Sequence, residues 1–198
     1  MAAEPIHVGV DKNGVRQEEG GRAAPTLDSV GRLLVPGASW KGVFRHRTRV
    51  ILRAAGASEI ETDALVTALF GGEKNRGRLT FRDSVTTDAA PQKRTHVAID
   101  RYTGGARDSA LHAVLAIPEK TGLELVVEHA EPERGPVWNL LNHIVNDLND
   151  GLITVGGHGT RGYGLVRLAD ARQNLELAPV RVAELAVACG TTTGGERS

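Results

Sequence analysis

The chain has 198 residues, with 24 Lys and Arg balanced by 24 Asp and Glu. Apolar residues make up 40%, aromatics only 4%, and glycine fills 24 positions, which fits a turn-rich globular protein with enough chain for a real core. The lone Cys189 excludes an internal disulfide framework and argues against a cysteine zinc site, and no segment approaches the about 20 apolar residues of a membrane span.

Residues 1–12 lack the basic start and apolar stretch of a signal peptide, so the expected location is the cytoplasm. Residues 6–8 read as a strand fragment, 11–24 as a polar glycine-rich loop, and 33–35 as a strand running into the turn Pro36-Gly37. Ser39 then fits the cap of a helix carrying Trp40, Val43, Phe44, Ile51 and Ala55 at helical spacing and ended by Gly56. Ser58 and Glu61 form a capping-box pattern for a second helix, with Ile60, Ala64, Leu65, Ala68 and Leu69 expected on one face.

Strand-like runs follow at 79–82, 96–99, 111–117 and 123–128. Pro136 opens a third helix whose apolar stripe is Val137, Leu140, Leu141, Ile144, Val145 and Leu148. A glycine-rich segment, 151–164, leads into an expected last strand at 165–168, and the tail from 190 reads as disordered. Helices and strands mix without a regular βαβ alternation. The expected class is α+β, with helices packed on one face of an antiparallel sheet.

Two catalytic motifs match in letters only. The run from Gly157 to Gly162 satisfies G-x-G-x-x-G, but a strand-like run follows where a dinucleotide fold needs a helix. The run from Gly37 to Gly42 is one residue too long for a hydrolase nucleophile elbow. The seven histidines are scattered, so no metal site and no cofactor are expected.

The neutral total charge hides two blocks. Residues 29–58 hold Arg32, Lys41, Arg45, Arg47, Arg49 and Arg53 and no acid, whereas 118–150 hold seven acids against two bases. Such asymmetry can mark a binding face. Lys41, Arg45 and Arg49 recur every fourth residue and so share one helical face, behind a helix N-terminus whose N–H groups and Ser39 hydroxyl favour an anion. An ordinary solvated basic face is the alternative. The second feature is the segment 151–164, with six glycines, Arg161 as a phosphate or base partner and Tyr163 as a stacking surface. Together the two segments point to an RNA-binding surface.

At these residues the chain resembles the RAMP superfamily of CRISPR proteins, and especially the repeated backbone subunit of type III RNA-guided effector complexes. LLVPGASWKGVFRHR (33–47) resembles the family's strand–PGSSLKG–helix element, and LFGGEKNRGRLTFRDS (69–84) its "LFG … G.l.f.D" element. HVAIDRYTGGARDSALH (96–112) resembles the "V.IDR.TG.A" segment, and GGHGTRGYGLVRL (156–168) the C-terminal glycine-rich loop and strand. The four blocks come in family order.

The resemblance implies an RRM-like, ferredoxin-like core over 1–178 with loop and hairpin insertions, followed by an extension at 179–198. It implies a subunit that polymerises along a CRISPR guide RNA, beside copies of itself and other effector subunits, with target RNA pairing to the guide. Ser39, Lys41 and Arg45 match the guide-phosphate positions, with Arg49 next on their face, and Gly157, Gly159 and Arg161 match the loop lining the same groove. A thumb-like hairpin is expected near 84–100, including Lys93 and Arg94.

Two departures stand out. Family members carry a complete strand before the element matched by residues 5–9, and this chain begins almost on top of it. Target-cleaving members place an Asp where Ala23 stands here, so the expectation is an RNA-binding subunit without nuclease activity of its own. The alternatives are a target-cleaving subunit using Asp11 or Asp28, or a guide-processing endoribonuclease with His46 as general acid–base.

Overall fold

The computed structural model describes residues 6, 26–87, 89–129, 135–168 and 177–191, which fall into two compact units. The first unit draws on Met1–Pro36, Asp83–Glu124 and Thr154–Arg167, and the second on Gly37–Arg82, Leu125–Ile153 and Leu168–Ser198.

In the first unit β1 (Leu34–Val35) pairs antiparallel with β3 (Ser84–Val85), Leu34 facing Val85. Leu27 and Leu33 bridge across a turn that Asp28 closes. Its carboxylate accepts the backbone N–H groups of Val30 at 3.0 Å and Arg32 at 2.8 Å, while Gly31 takes φ 85°. A long ribbon follows. β4 (Gln92–Ile99) pairs antiparallel with β5 (Ala106–Ala116), from Gln92 opposite Ala116 to Ile99 opposite Ala106, with an irregularity between Val97 and Ile99. Ile6 bridges Ile117 through both backbone bonds, at 3.0 and 2.8 Å.

The ribbon is covered at the end of β5 and open along most of β4. Val114 and Ala116 are buried with Tyr163, whereas Lys93, Thr95, Val97 and Ile99, every second residue of β4, are exposed. The sequence pattern places these strands at 96–99 and 111–117. The observed strands start earlier because Gln92, Lys93 and Ala106 sit on exposed backbone that carries no apolar alternation to betray it.

In the second unit α1 (Gly37–Ala54) packs on α2 (Glu59–Phe70) and α3 (Pro136–Asn149), and α4 (Val182–Cys189) packs on α2 and α3. A short ladder joins β2 (Thr80–Phe81) to β6 (Val127–Glu128), antiparallel. Phe81 of β2 meets Phe44 edge-on at 5.2 Å and stacks on Phe70 at 6.1 Å, fastening the ladder to both helices.

The helices follow the sequence in place and depart from it in detail. α1 starts at Gly37, so Ser39 lies inside the first turn instead of capping it. The reason is contact: a Cβ on Gly37 would stand 2.3 Å from the Phe81 carbonyl oxygen, and only glycine lets the helix begin that close to β2. The buried stripe of α1 is Gly37, Trp40, Phe44, Thr48 and Leu52, and the expected Ala55 is exposed beyond the helix end.

The Ser58–Glu61 capping box is present in both directions. The inward face of α2, however, is Thr62, Leu65, Val66, Leu69 and Phe70, with Ile60 84% exposed and Ala64 also exposed. Here the apolar residues are spread around the helix among Glu59, Glu61, Thr62, Asp63 and Thr67, so the periodicity picks out no single face. α3 buries Val137, Leu140, Leu141, Ile144 and Leu148 of its predicted stripe, with Val145 half-buried at the edge.

The strands expected at 79–82 and 123–128 are shorter, and the one expected at 165–168 is absent, leaving a single bridge residue at Val166. Gly164, at φ 85°, breaks extension on one side, and the Leu168 N–H donates to the Asn149 side chain at 2.8 Å on the other. α4 lies in the tail, where no sequence pattern announces it. The class is α+β, and every strand pairing among the described residues is antiparallel, in three two-stranded ladders. The strand fragment at 7–8, the loop at 11–24 and residues 192–198 lie outside the described residues.

Candidate nucleic-acid interface

In the second unit Pro36-Gly37 delivers the chain into α1, whose first turn carries no acidic side chain and whose leading N–H groups have no acceptor within the helix. Ser39 and Lys41 sit in the first two turns, both half-buried. Lys41, Arg45 and Arg49 form a row one residue behind the buried Trp40–Phe44–Thr48 stripe, so their stems lie along the edge of the core.

The row does not point outward uniformly. Arg45 Nη1 donates to the Gly71 carbonyl at 3.2 Å, and Arg49 pairs with Asp63 of α2. Arg45 thereby commits one of its five donors. Arg49 holds an exposed ion pair of the kind that contributes little to stability and exchanges readily for another anion. Among the described residues Lys41 has no ion-pair partner. His46 is exposed on α1.

The acidic block meets the basic run at Arg47. Arg47 Nε donates to Asp147 Oδ2 of α3 at 2.6 Å, both side chains largely covered. Part of the basic run is therefore neutralised by the acidic block inside the second unit.

In the first unit the glycine-rich segment folds back on itself, with the Val155 N–H donating to the Gly164 carbonyl at 2.9 Å. Gly151, Gly156, Gly162 and Gly164 all have positive φ, so turns account for four of the six glycines. The close backbone approach that the glycine density predicts is internal at Gly164, where a Cβ would lie 2.3 Å from the Val155 oxygen. Gly157 is exposed, and Gly159 opens a 3-10 turn, Gly159–Arg161, that presents Arg161 at the surface.

Tyr163 is 1% exposed and its hydroxyl meets His96 Nε2, so it is an anchor and offers no stacking surface. In a chain with so few aromatics, the flanking Leu165 and Val166 are the signal that it turns inward.

Asp28 is committed to its turn. Burial raises its pKa, but the backbone N–H and guanidinium of Arg32 and the N–H of Val30 outweigh this and hold it below the usual value. Arg32 Nε also pairs with it at 2.8 Å. Asp11 and Ala23 lie outside the described residues. Lys93 is exposed and Arg94 half-buried on β4, inside the segment where a thumb is expected. Among the described residues no cluster of His, Cys, Asp and Glu is arranged to hold a metal ion. No helix among them is long and apolar enough to cross a membrane.

A family model for the RAMP superfamily matches residues 2–167, and the chain belongs to that superfamily. Membership makes it a CRISPR-associated protein that interacts with RNA, in a family of ferredoxin-like folds. A search of curated proteins returned no match.

Proposed function

We propose that this chain is a guide-RNA-binding backbone subunit of a type III CRISPR effector complex, acting in antiviral defence beside copies of itself and other effector subunits. The observation that carries the reading is the start of α1, where Ser39 and Lys41 stand at a helix N-terminus that has no acid in its first turn. Arg45 and Arg49 extend the same row, and in the other unit Arg161 stands on a turn opened by Gly159 and preceded by Gly157. In this reading these groups hold the guide through its phosphates, contacts that carry no sequence information, so the subunit accepts any guide sequence. Target RNA is recognised by pairing to the guide. The role is structural, and catalysis forms no part of it: Asp28, the described carboxylate that could stand in for a cleaving Asp, has its oxygens occupied by Val30 and Arg32.

The test is binding of labelled single-stranded RNA to the full chain across a salt series. Lys41→Ala should weaken binding for all sequences alike and flatten the log–log salt dependence by about 0.7 for each phosphate that is no longer neutralised. An unchanged affinity and slope would exclude Lys41 from the interface.

A further inference from the structure

The segment 154–164 has to present Arg161 from a loop with glycine at 156, 157, 159, 162 and 164. Such a loop loses much conformational entropy when it is fixed, and that cost falls on binding unless the fold has already fixed the loop. The structure contains a device that does so, and it is built from three side chains of the first unit.

Tyr163, two residues beyond Arg161, is 1% exposed and lies among Val114 and Ala116 of β5. Its hydroxyl is hydrogen-bonded to Nε2 of His96 on β4, the rings lying 5.5 Å apart. On the other side of Arg161, His158 caps the 3-10 turn in a left-handed conformation, φ 63°, which a non-glycine residue adopts at a cost. Its ring lies 5.9 Å from the same Tyr163 ring, and its carbonyl accepts the Arg161 N–H at 2.8 Å. Arg161 is thus bracketed by two residues that converge on one buried ring, and that ring is fixed to the ribbon.

We propose that His96 and Tyr163 are positioning residues for RNA binding: they lock the glycine-rich loop on the β4–β5 ribbon so that Arg161 is held ready for a phosphate before RNA arrives. The inference rests on the RNA-binding reading above and deepens it. Neither residue touches RNA. Both act through the fixed backbone between His158 and Tyr163, and the loop is already in its binding shape in the RNA-free chain. Tyr163→Phe keeps the buried ring and deletes only the hydroxyl, so it unlocks the loop and spares most of the packing.

The experiment is a double-mutant cycle on the full chain, with fluorescein-labelled poly-U RNA as the probe and fluorescence anisotropy as the readout. Arg161→Ala should weaken binding about tenfold in the parent chain and less than about twofold in Tyr163→Phe, because a displaced arginine has little left to lose. His96→Ala should erase the Arg161 penalty in the same way, whereas His96→Gln, which keeps an amide able to bond the phenol, should restore it. His96→Ala and His96→Gln also serve if Tyr163→Phe fails to fold. An equal Arg161 penalty in every background would overturn the proposal, since His96 and Tyr163 would then contribute stability alone. No penalty in the parent chain would overturn it as well. In that case Lys41→Ala decides whether the RNA-binding reading falls too: a loss of affinity there keeps the α1 site and removes only the loop.

Discussion

Asp28 and Asp100 each hold a turn through a carboxylate that accepts backbone N–H groups. Asp100 bonds Thr103 N and Tyr102 N, both at 2.9 Å, and these bonds outweigh burial and hold its pKa below the ordinary 3.8. The ionised form accepts the bonds and the protonated form gives them up. A carboxyl whose folded pKa is depressed contributes stability in full above its unfolded value and loses it as pH falls through the folded value. Amide exchange at Tyr102, Thr103, Val30 and Arg32 should therefore be insensitive to acid-driven opening at neutral pH and accelerate below about pH 3.8. Asp28→Asn and Asp100→Asn should remove that acid-specific acceleration at their own turns. If it persists in both variants, other groups control the turns. Asp28 reads as a turn residue from the sequence because the residues after it, Ser-Val-Gly, form a local pattern. The bond that fixes Tyr163 is not legible there, because its partner His96 lies 67 residues away in sequence.

Elements are legible where one face is apolar and the other is not. α3 follows its stripe because Val137, Leu140, Leu141, Ile144 and Leu148 meet neighbours on one side while Asn146 and Asp150 remain exposed. α2 scatters its apolar residues around the helix, with Thr62 buried and Ile60 exposed, so its buried face is decided by packing and not by pattern. The ribbon is hard to read for another reason: most of β4 is exposed, with Lys93 and Thr95 beside Val97 and Ile99. The start of α1 belongs to the same scale. Gly37→Ala should favour the helix by propensity, yet the added methyl meets the Phe81 carbonyl, a backbone atom that cannot rotate away. We expect a net destabilisation of about 1–3 kcal/mol, read as a lower urea midpoint at unchanged slope. An unchanged or raised midpoint would mean that the β2 end of the chain moves to accommodate it.

At the scale of the whole molecule, the chain passes between its two units after Pro36, Arg82, Glu124, Ile153 and Arg167. Each unit is assembled from three separate stretches, so no contiguous fragment contains either one. A fragment of residues 37–82 holds α1, α2 and β2 but lacks α3, which packs on α1, and α4, which packs on α2. The two helices keep each other but lose these further partners, and helices draw most of their stability in water from such packing. The isolated fragment should show little helical circular dichroism, whereas a strongly helical, cooperatively melting fragment would contradict this. The neutral total charge also acquires a structural meaning here. Opposite blocks that are distant in sequence meet at Arg47 and Asp147, so the total says little about the local field at Lys41.

The α+β class, the helices at α1, α2 and α3, the capping box and the family are all legible in the amino-acid order, because they depend on local periodicity, local caps and motifs in series. How the cations are engaged is settled by the folded chain, since Arg45, Arg47 and Arg49 find their partners at Gly71, Asp147 and Asp63, positions 14 to 100 residues away. The fold likewise makes turns of four of the six glycines at 151–164 and an anchor of Tyr163. Each of these outcomes depends on which distant group comes within hydrogen-bonding or packing distance, a quantity that no local pattern encodes.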